Sequence, residues 1–100
     1  MVKYKFDYSL EKDQILIRER GIGFEDIINA IESGGLIENK KHPNQKRYQG
    51  QKLFIVKIDA YIYVVPYIFD RKRQVYFLKT LYPNRKLTKQ YFKTYEKEKI

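Results

Sequence analysis

Three apolar runs in close succession, at residues 53–58, 61–69 and 75–82, constrain the fold of this chain more than any other feature. They are rich in Val, Ile, Tyr and Phe, whose branched or flat side chains fit a pleated, half-buried surface. The links between them, Asp59 with Ala60 and then residues 70–74, are too short to carry a crossover. The chain must turn straight back each time, so the spacing predicts an antiparallel meander. The middle run is apolar at nearly every position, as a central strand covered on both faces should be. Pro66 within it has no N–H to give to a ladder and predicts a bulge or an outer position.

The segments ahead of the meander read differently. Tyr4, Phe6 and Tyr8 fall on one side of a short strand, with Lys5 and Asp7 on the other. Ser9 can cap a helix whose first turn holds Glu11 and which runs through Ile15, Leu16 and Ile17 to a stop near Gly21. Phe24, Ile27, Ile28 and Ile31 stand at i, i+3, i+4 and i+7, the apolar stripe of a second helix that Gly34 and Gly35 end. Residues 36–40 read as a strand, and residues 41–51 as a polar loop whose length points to either motion or function. Beyond Pro83, Asn84 can cap a last helix with Leu87, Tyr91 and Tyr95 on one stripe. The expected fold is α+β, with two N-terminal helices packed on a mainly antiparallel sheet and a basic C-terminal helix across one end. With 100 residues, the chain reads as a single domain, 1–100, built on one core, and its tail from 95 to 100 is expected to fray.

Charge narrows the function. The chain has a net charge of +9, and residues 71–100 carry ten Lys or Arg against two Glu, whereas residues 1–37 carry five against seven. A surface this basic attracts a polyanion, and in a soluble protein the commonest one is nucleic acid. There is no cysteine, which excludes disulfides, thiolate metal sites and a Cys nucleophile, and fits a reducing cytoplasm. The start shows no apolar signal-peptide core, and the longest apolar run is far below the roughly 20 residues of a membrane helix. No membrane partner is expected. One histidine, and acids gathered in the first third, provide no ligand set for a metal, and no cofactor motif is visible.

What remains is chemistry by cations and phenols. Cleaving RNA without a metal requires an aligned 2′-hydroxyl, stabilisation of the extra phosphorane charge, and a group that moves protons. The candidates are Arg85 and Lys86 at the start of the last helix, Lys79 in the strand before it, His42 in the long loop, and Tyr91. Lys79 stands between Phe77 and Leu81, where a lysine also suits an exposed strand edge that must not pair. His42 precedes Pro43 and Asn44, a turn sequence in which it can equally serve as a cap, although its unperturbed pKa near 6.5 suits acid–base work. Arg71, Lys72, Arg73, Lys89, Lys93, Arg47 and Tyr48 are candidate RNA contacts, and Tyr82, Tyr91 and Tyr95 offer faces for unpaired bases. A nucleic-acid-binding module without catalysis, and a protein-interaction subunit with a basic face, remain alternatives.

The order of segments resembles one known family. Phe6-Asp7-Tyr8 with Glu11-Lys12-Asp13, then Arg20-Gly21-Ile22-Gly23-Phe24-Glu25-Asp26, and finally Asn84-Arg85-Lys86 ahead of Tyr91, resemble the BrnT family of bacterial toxins, which have a RelE-like fold. The resemblance spans residues 6–91. It departs from the family at Asp13, where Asn is usual, at Arg20, where the usual pair is Lys-His, and at Leu81 and Leu87, where an ungapped match puts an arginine and an acid. Arg85 and Lys86 are retained. The resemblance implies a metal-independent endoribonuclease toxin, held inactive by a small antitoxin that often has a ribbon-helix-helix fold. If so, Lys79 must replace the missing strand arginine from two residues earlier on the same face.

Overall fold

The computed structural model describes residues 4–98, with side chains through Lys93. Its elements are β1 (Phe6–Tyr8), α1 (Leu10–Arg20), α2 (Phe24–Glu32), β2 (Leu36–Lys41), β3 (Lys52–Ile58), β4 (Tyr61–Asp70), β5 (Val75–Leu78), β6 (Tyr82–Pro83) and α3 (Arg85–Glu98). Strand order is β1-β5-β4-β3-β2, with β6 also paired to β4. Every neighbouring pair is antiparallel except β1 with β5, so the domain is α+β with three helices and a mixed, mostly antiparallel sheet. No helix among the described residues is long and apolar enough to cross a membrane. Helix α3 runs to Glu98, and Lys99 and Ile100 lie outside the described residues.

The helix ends follow local chemistry. Ser9 Oγ accepts the Lys12 N–H at 3.2 Å, and Gly21 closes α1 in the left-handed conformation at φ 73°. Helix α2 begins at Gly23, which has no side chain to cap with. Asp13 of α1 supplies the missing oxygen, accepting the Phe24 N–H at 2.7 Å, while Asp26 accepts the Gly23 N–H at 2.9 Å. A Cβ on Gly23 would stand 2.6 Å from Asp13 Oδ1 and 2.8 Å from Ile17, so the two helices can meet this closely only across a glycine.

The run 75–82, expected as one strand, is broken. Leu78 pairs with Tyr67 but Tyr82 pairs with Val64, so three steps along β4 are matched by four along its neighbour. The extra residue is a bulge opposite Pro66. In an antiparallel ladder a residue turns its N–H and C=O to the same neighbour. Pro66 accepts the Lys79 N–H at 2.8 Å and has no N–H to return, so the ladder slips there.

Both faces of the sheet are packed. On one, Leu16 of α1 and Phe24, Ile27 and Ile31 of α2 share a core with Phe54, Val56, Val65, Tyr67, Leu78 and Leu81. On the other, Leu87 and Tyr91 of α3, with Tyr82, lie on Leu53, Ile55, Ile62 and Val64. Helix α3 is tied to the start of β4: Asn84 N–H donates to Ile62 O at 2.9 Å, and Ile62 N–H donates to Thr88 Oγ1 at 2.9 Å. From there its Tyr91 and Phe92 reach towards Asp59, the tip of the β3–β4 hairpin, and Gly34 and Gly35 at the end of α2. The sheet therefore has a hairpin end under the helices and a loop end, where residues 42–51 and 71–74 connect the strands.

Candidate nucleic-acid interface

The loop end collects the charge. At or beyond the row formed by Lys40, Leu53, Pro66 and Lys79 stand ten cations, just ahead of β1, on β2 and β3, in the two loops and at the bulge, against two carboxylates, Asp7 and Asp70. The rest of residues 4–93 holds eight acids and eight bases. Sequence order places the excess in the last third, whereas the fold places it at one end of the sheet. Lys5, Lys40, Lys41, Lys46 and Lys52 are contributors beyond the sequence candidates, and for all but Lys46, which is in the long loop, only strand pairing brings them beside the two loops.

The long loop is closed by its own side chains. His42 N–H donates to Gln51 O at 3.0 Å, Gln45 Nε2 donates to His42 O at 2.7 Å and Gln51 O at 3.1 Å, and Gln45 Oε1 accepts the Gly50 N–H at 3.2 Å. His42 Nδ1 accepts the Asn44 N–H at 3.0 Å, the capping role. That bond places the ring proton on Nε2, and an imidazolium could not keep it. The His42 ring lies 4.3 Å from that of Tyr48, and the Arg47 guanidinium is 5.4 Å from the same ring. Tyr48 in turn approaches Tyr82, whose phenol is pushed up first by burial and then by Tyr48.

Lys79 sits in the bulge, exposed, with Nζ 5.6 Å from the Phe77 ring. Phe77 pairs with Ile68 on the α3 side of the sheet, so Lys79 faces that side. Leu81 is 0% exposed in the core under α1 and α2. The two residues are on opposite faces, which corrects the expectation of a shared one, because the bulge shifts the alternation between them.

The candidate residues separate into groups. His42, Arg47, Tyr48 and Lys79 are at the loop end on the α3 side. Arg85 and Lys86 are exposed on the first turn of α3, capped by Asn84 Oδ1, which accepts the Leu87 N–H at 2.9 Å. Lys89 and Lys93 continue along the outside of α3. Arg71, Lys72 and Arg73 lie past Asp70, eight steps along β4 from Ile62, roughly 26 Å at strand rise. They do not form one face with α3. Arg73 is engaged, with Nη2 2.7 Å from Asp7 and Nε 3.1 Å from Asp70. These contacts hold both carboxyls below the usual range: for Asp7 chiefly the Arg73 side chain, for Asp70 chiefly the Arg73 backbone N–H. Tyr91 is packed in the seam between α3 and the sheet, on the hairpin side. Among the described residues, no three His, Asp or Glu side chains converge as metal ligands would.

Comparison with protein-family models, curated proteins and solved structures gives no match for this chain.

Proposed function

We propose that the protein binds single-stranded RNA across the α3 side of the loop end and cleaves it there, as a toxin of the BrnT-like, RelE-fold type that its segment order resembles. The observation that carries the reading is the concentration of ten cations against two carboxylates at the loop end, where Lys40, Arg47 and Lys79 are on the α3 side with the Tyr48, Tyr82 and Phe77 rings. Cations neutralise phosphates and release counterions, while the rings give unpaired bases a stacking surface. Lys79 and Arg47 are the groups that would meet phosphorane charge, with Arg85 on the first turn of α3 holding a flanking phosphate. The Tyr82 phenol, pushed up chiefly by burial, stays protonated and can donate a hydrogen bond to a phosphate oxygen. A small antitoxin is the expected inhibitor.

A second reading, a binding module without cleavage, is favoured by His42, whose Nδ1 is committed to the loop, and by Tyr91, which packs the seam. Labelled single-stranded RNA incubated with a chelator separates the two. Cleavage that falls about a hundredfold in Lys79→Ala or Arg85→Ala, with unchanged thermal midpoints, supports the enzyme. Intact RNA bound with salt-dependent affinity supports the module. His42→Asn keeps an acceptor for Asn44 but cannot carry a proton. Full activity in that variant and reduced activity in His42→Ala would assign His42 to loop order alone.

A further inference from the structure

The face of the sheet turned away from α3 carries a cationic corner of its own at the loop end. Lys41, Lys52 and Tyr67 stand opposite one another across β2, β3 and β4, and Tyr67 belongs to the core under α1 and α2, so all three are on that face. His42 N–H donates to Gln51 O, which makes Lys41 with Lys52 the adjacent non-bonded pair of the ladder, where facing side chains come closest. Two lysines are thus held side by side. The long loop leaves them open, because its Tyr48 folds to the other face beside Tyr82. Neither carboxylate of this end answers them. Asp7 pairs with Phe77 and Asp70 with Val75, so both acids are on the α3 side, where Arg73 bridges them.

Polar and aromatic groups complete the corner. Asn39, two residues before Lys41 on the same face, accepts the Tyr67 hydroxyl with Oδ1, so its Nδ2 is the amide group left to donate. Phe69, two residues past Tyr67, is diagonal to Lys52, about 7–8 Å away by the geometry of a ladder. Its half-buried ring packs on Tyr76 with centroids 4.8 Å apart and lies outside the buried core. Beyond it the β4–β5 turn adds Arg71 and Lys72, which enter no ion pair among the described residues. Two lysines and an amide suit a phosphate, and a ring at that spacing suits its base. The corner is also continuous with the α3-side interface. Lys40 and Lys41 are consecutive residues of an edge strand turned to opposite faces, so cations line the way over the edge of β2.

We infer that the RNA strand does not stop at the α3 side but passes over the edge of β2 and places a second phosphate and base on the opposite face, the phosphate held by Lys41, Lys52 and Asn39 and the base on Phe69. This rests on the RNA-binding reading and adds to it a demand on the substrate: only a strand long enough to reach both faces gains from Lys41 and Lys52.

The test compares a labelled tetranucleotide with a labelled dodecanucleotide, both made as 2′-O-methyl RNA so that no 2′-hydroxyl can attack the chain. Lys41→Ala with Lys52→Ala should weaken the dodecanucleotide about tenfold and lower its salt slope by about 1.4, two contacts at roughly 0.7 each, while the tetranucleotide is nearly unaffected. The same double variant should melt no lower than the native chain, since it removes facing like charges. Phe69→Leu keeps an apolar side chain but no ring, and should weaken the dodecanucleotide by about fivefold or more. A dodecanucleotide indifferent to the Lys41 and Lys52 changes, yet weakened by changes at Lys40, Arg47 and Lys79, would overturn the crossing and leave the α3-side interface standing. Equal losses for both lengths would overturn it too, by placing the whole interface on the Lys41 face. Failure of the native chain to bind either oligonucleotide would overturn the RNA reading and the crossing with it.

Discussion

At the hairpin end of the sheet, Val56, Ile62 and Val64 are each no more than 2% exposed, because α2 lies over one face and α3 over the other. At the loop end, on the α3 side, Ile68 is 36% exposed and Phe77 half-buried, beyond the part of the face that α3 covers. The charge follows the same division, neutral at the helical end and strongly positive at the other. A sheet stabilised from one end can hold repelling cations at the other. Lys41 and Lys52 stand directly opposite each other across β2 and β3, an arrangement that costs stability unless an anion relieves it. On the α3 face, folding free energy and ligand-binding charge are thus drawn from different halves of the same strands, while Tyr67 and Leu78 keep the opposite face packed at the loop end.

The largest effect that tests this division is on stability. Phe24, 0% exposed at the first turn of α2, packs on Tyr8 with ring centroids 4.9 Å apart. Phe24→Ala should cost about 3–5 kcal/mol in denaturant unfolding, while RNA affinity per folded molecule stays as it was. A parallel loss of affinity would show that the two ends are coupled after all.

The next effect is on binding. Replacing Lys40, Arg47 and Lys79 with Ala should weaken RNA binding by about tenfold to a hundredfold and reduce the salt slope by about two, at roughly 0.7 per phosphate contact on a single strand. Each change should move stability by no more than about 0.5 kcal/mol, as surface substitutions do. The matching triple on α3, Lys86, Lys89 and Lys93 to Ala, should weaken RNA binding less. If the α3 triple has the larger effect, the charge that matters is the one that sequence order points to, and the loop-end interface is misplaced.

Much of the fold could be read from local chemistry. Ser9, Gly21 and the Ile27, Ile28 and Ile31 stripe marked the two N-terminal helices, and short links marked the meander, because caps and turns act within a few residues. Pro66 announced an irregularity, though the sequence could not say that the partner strand would absorb it. The parallel pairing of β1 with β5 was invisible, since Phe6 and Tyr76 meet across 70 positions with no local signal. The site was half legible for the same reason. Arg47, Tyr48 and Lys79 drew attention as cations and an aromatic in unusual places, whereas Lys40, Lys41 and Lys52 looked like ordinary strand-end lysines. Arg71 to Arg73 looked like free charge until the fold brought Asp7 to Arg73.

That pairing gives the smallest and most specific prediction. Arg73 is a loop-end cation by position but part of the fold by its contacts, bridging β1 to the β4–β5 turn through Asp7 and Asp70. A carboxyl whose pKa is lowered by folding adds stability that is complete above its unfolded pKa, about 3.9 for Asp, and is lost as pH falls through the folded value. Asp7→Asn should therefore melt slightly below the native chain at neutral pH. The gap should narrow as pH drops below about 4 and close once Asp7 is protonated in the folded protein. Because the pair is exposed, added salt should narrow it as well. Thermal midpoints of both proteins from neutral to strongly acidic pH decide the matter. A gap that persists in acid would mean that Asp7 acts through the shape of its backbone bond to Tyr8 rather than through charge. Arg73 would then be free to serve RNA, and the division between the two ends would lose the one cation that the fold claims for itself.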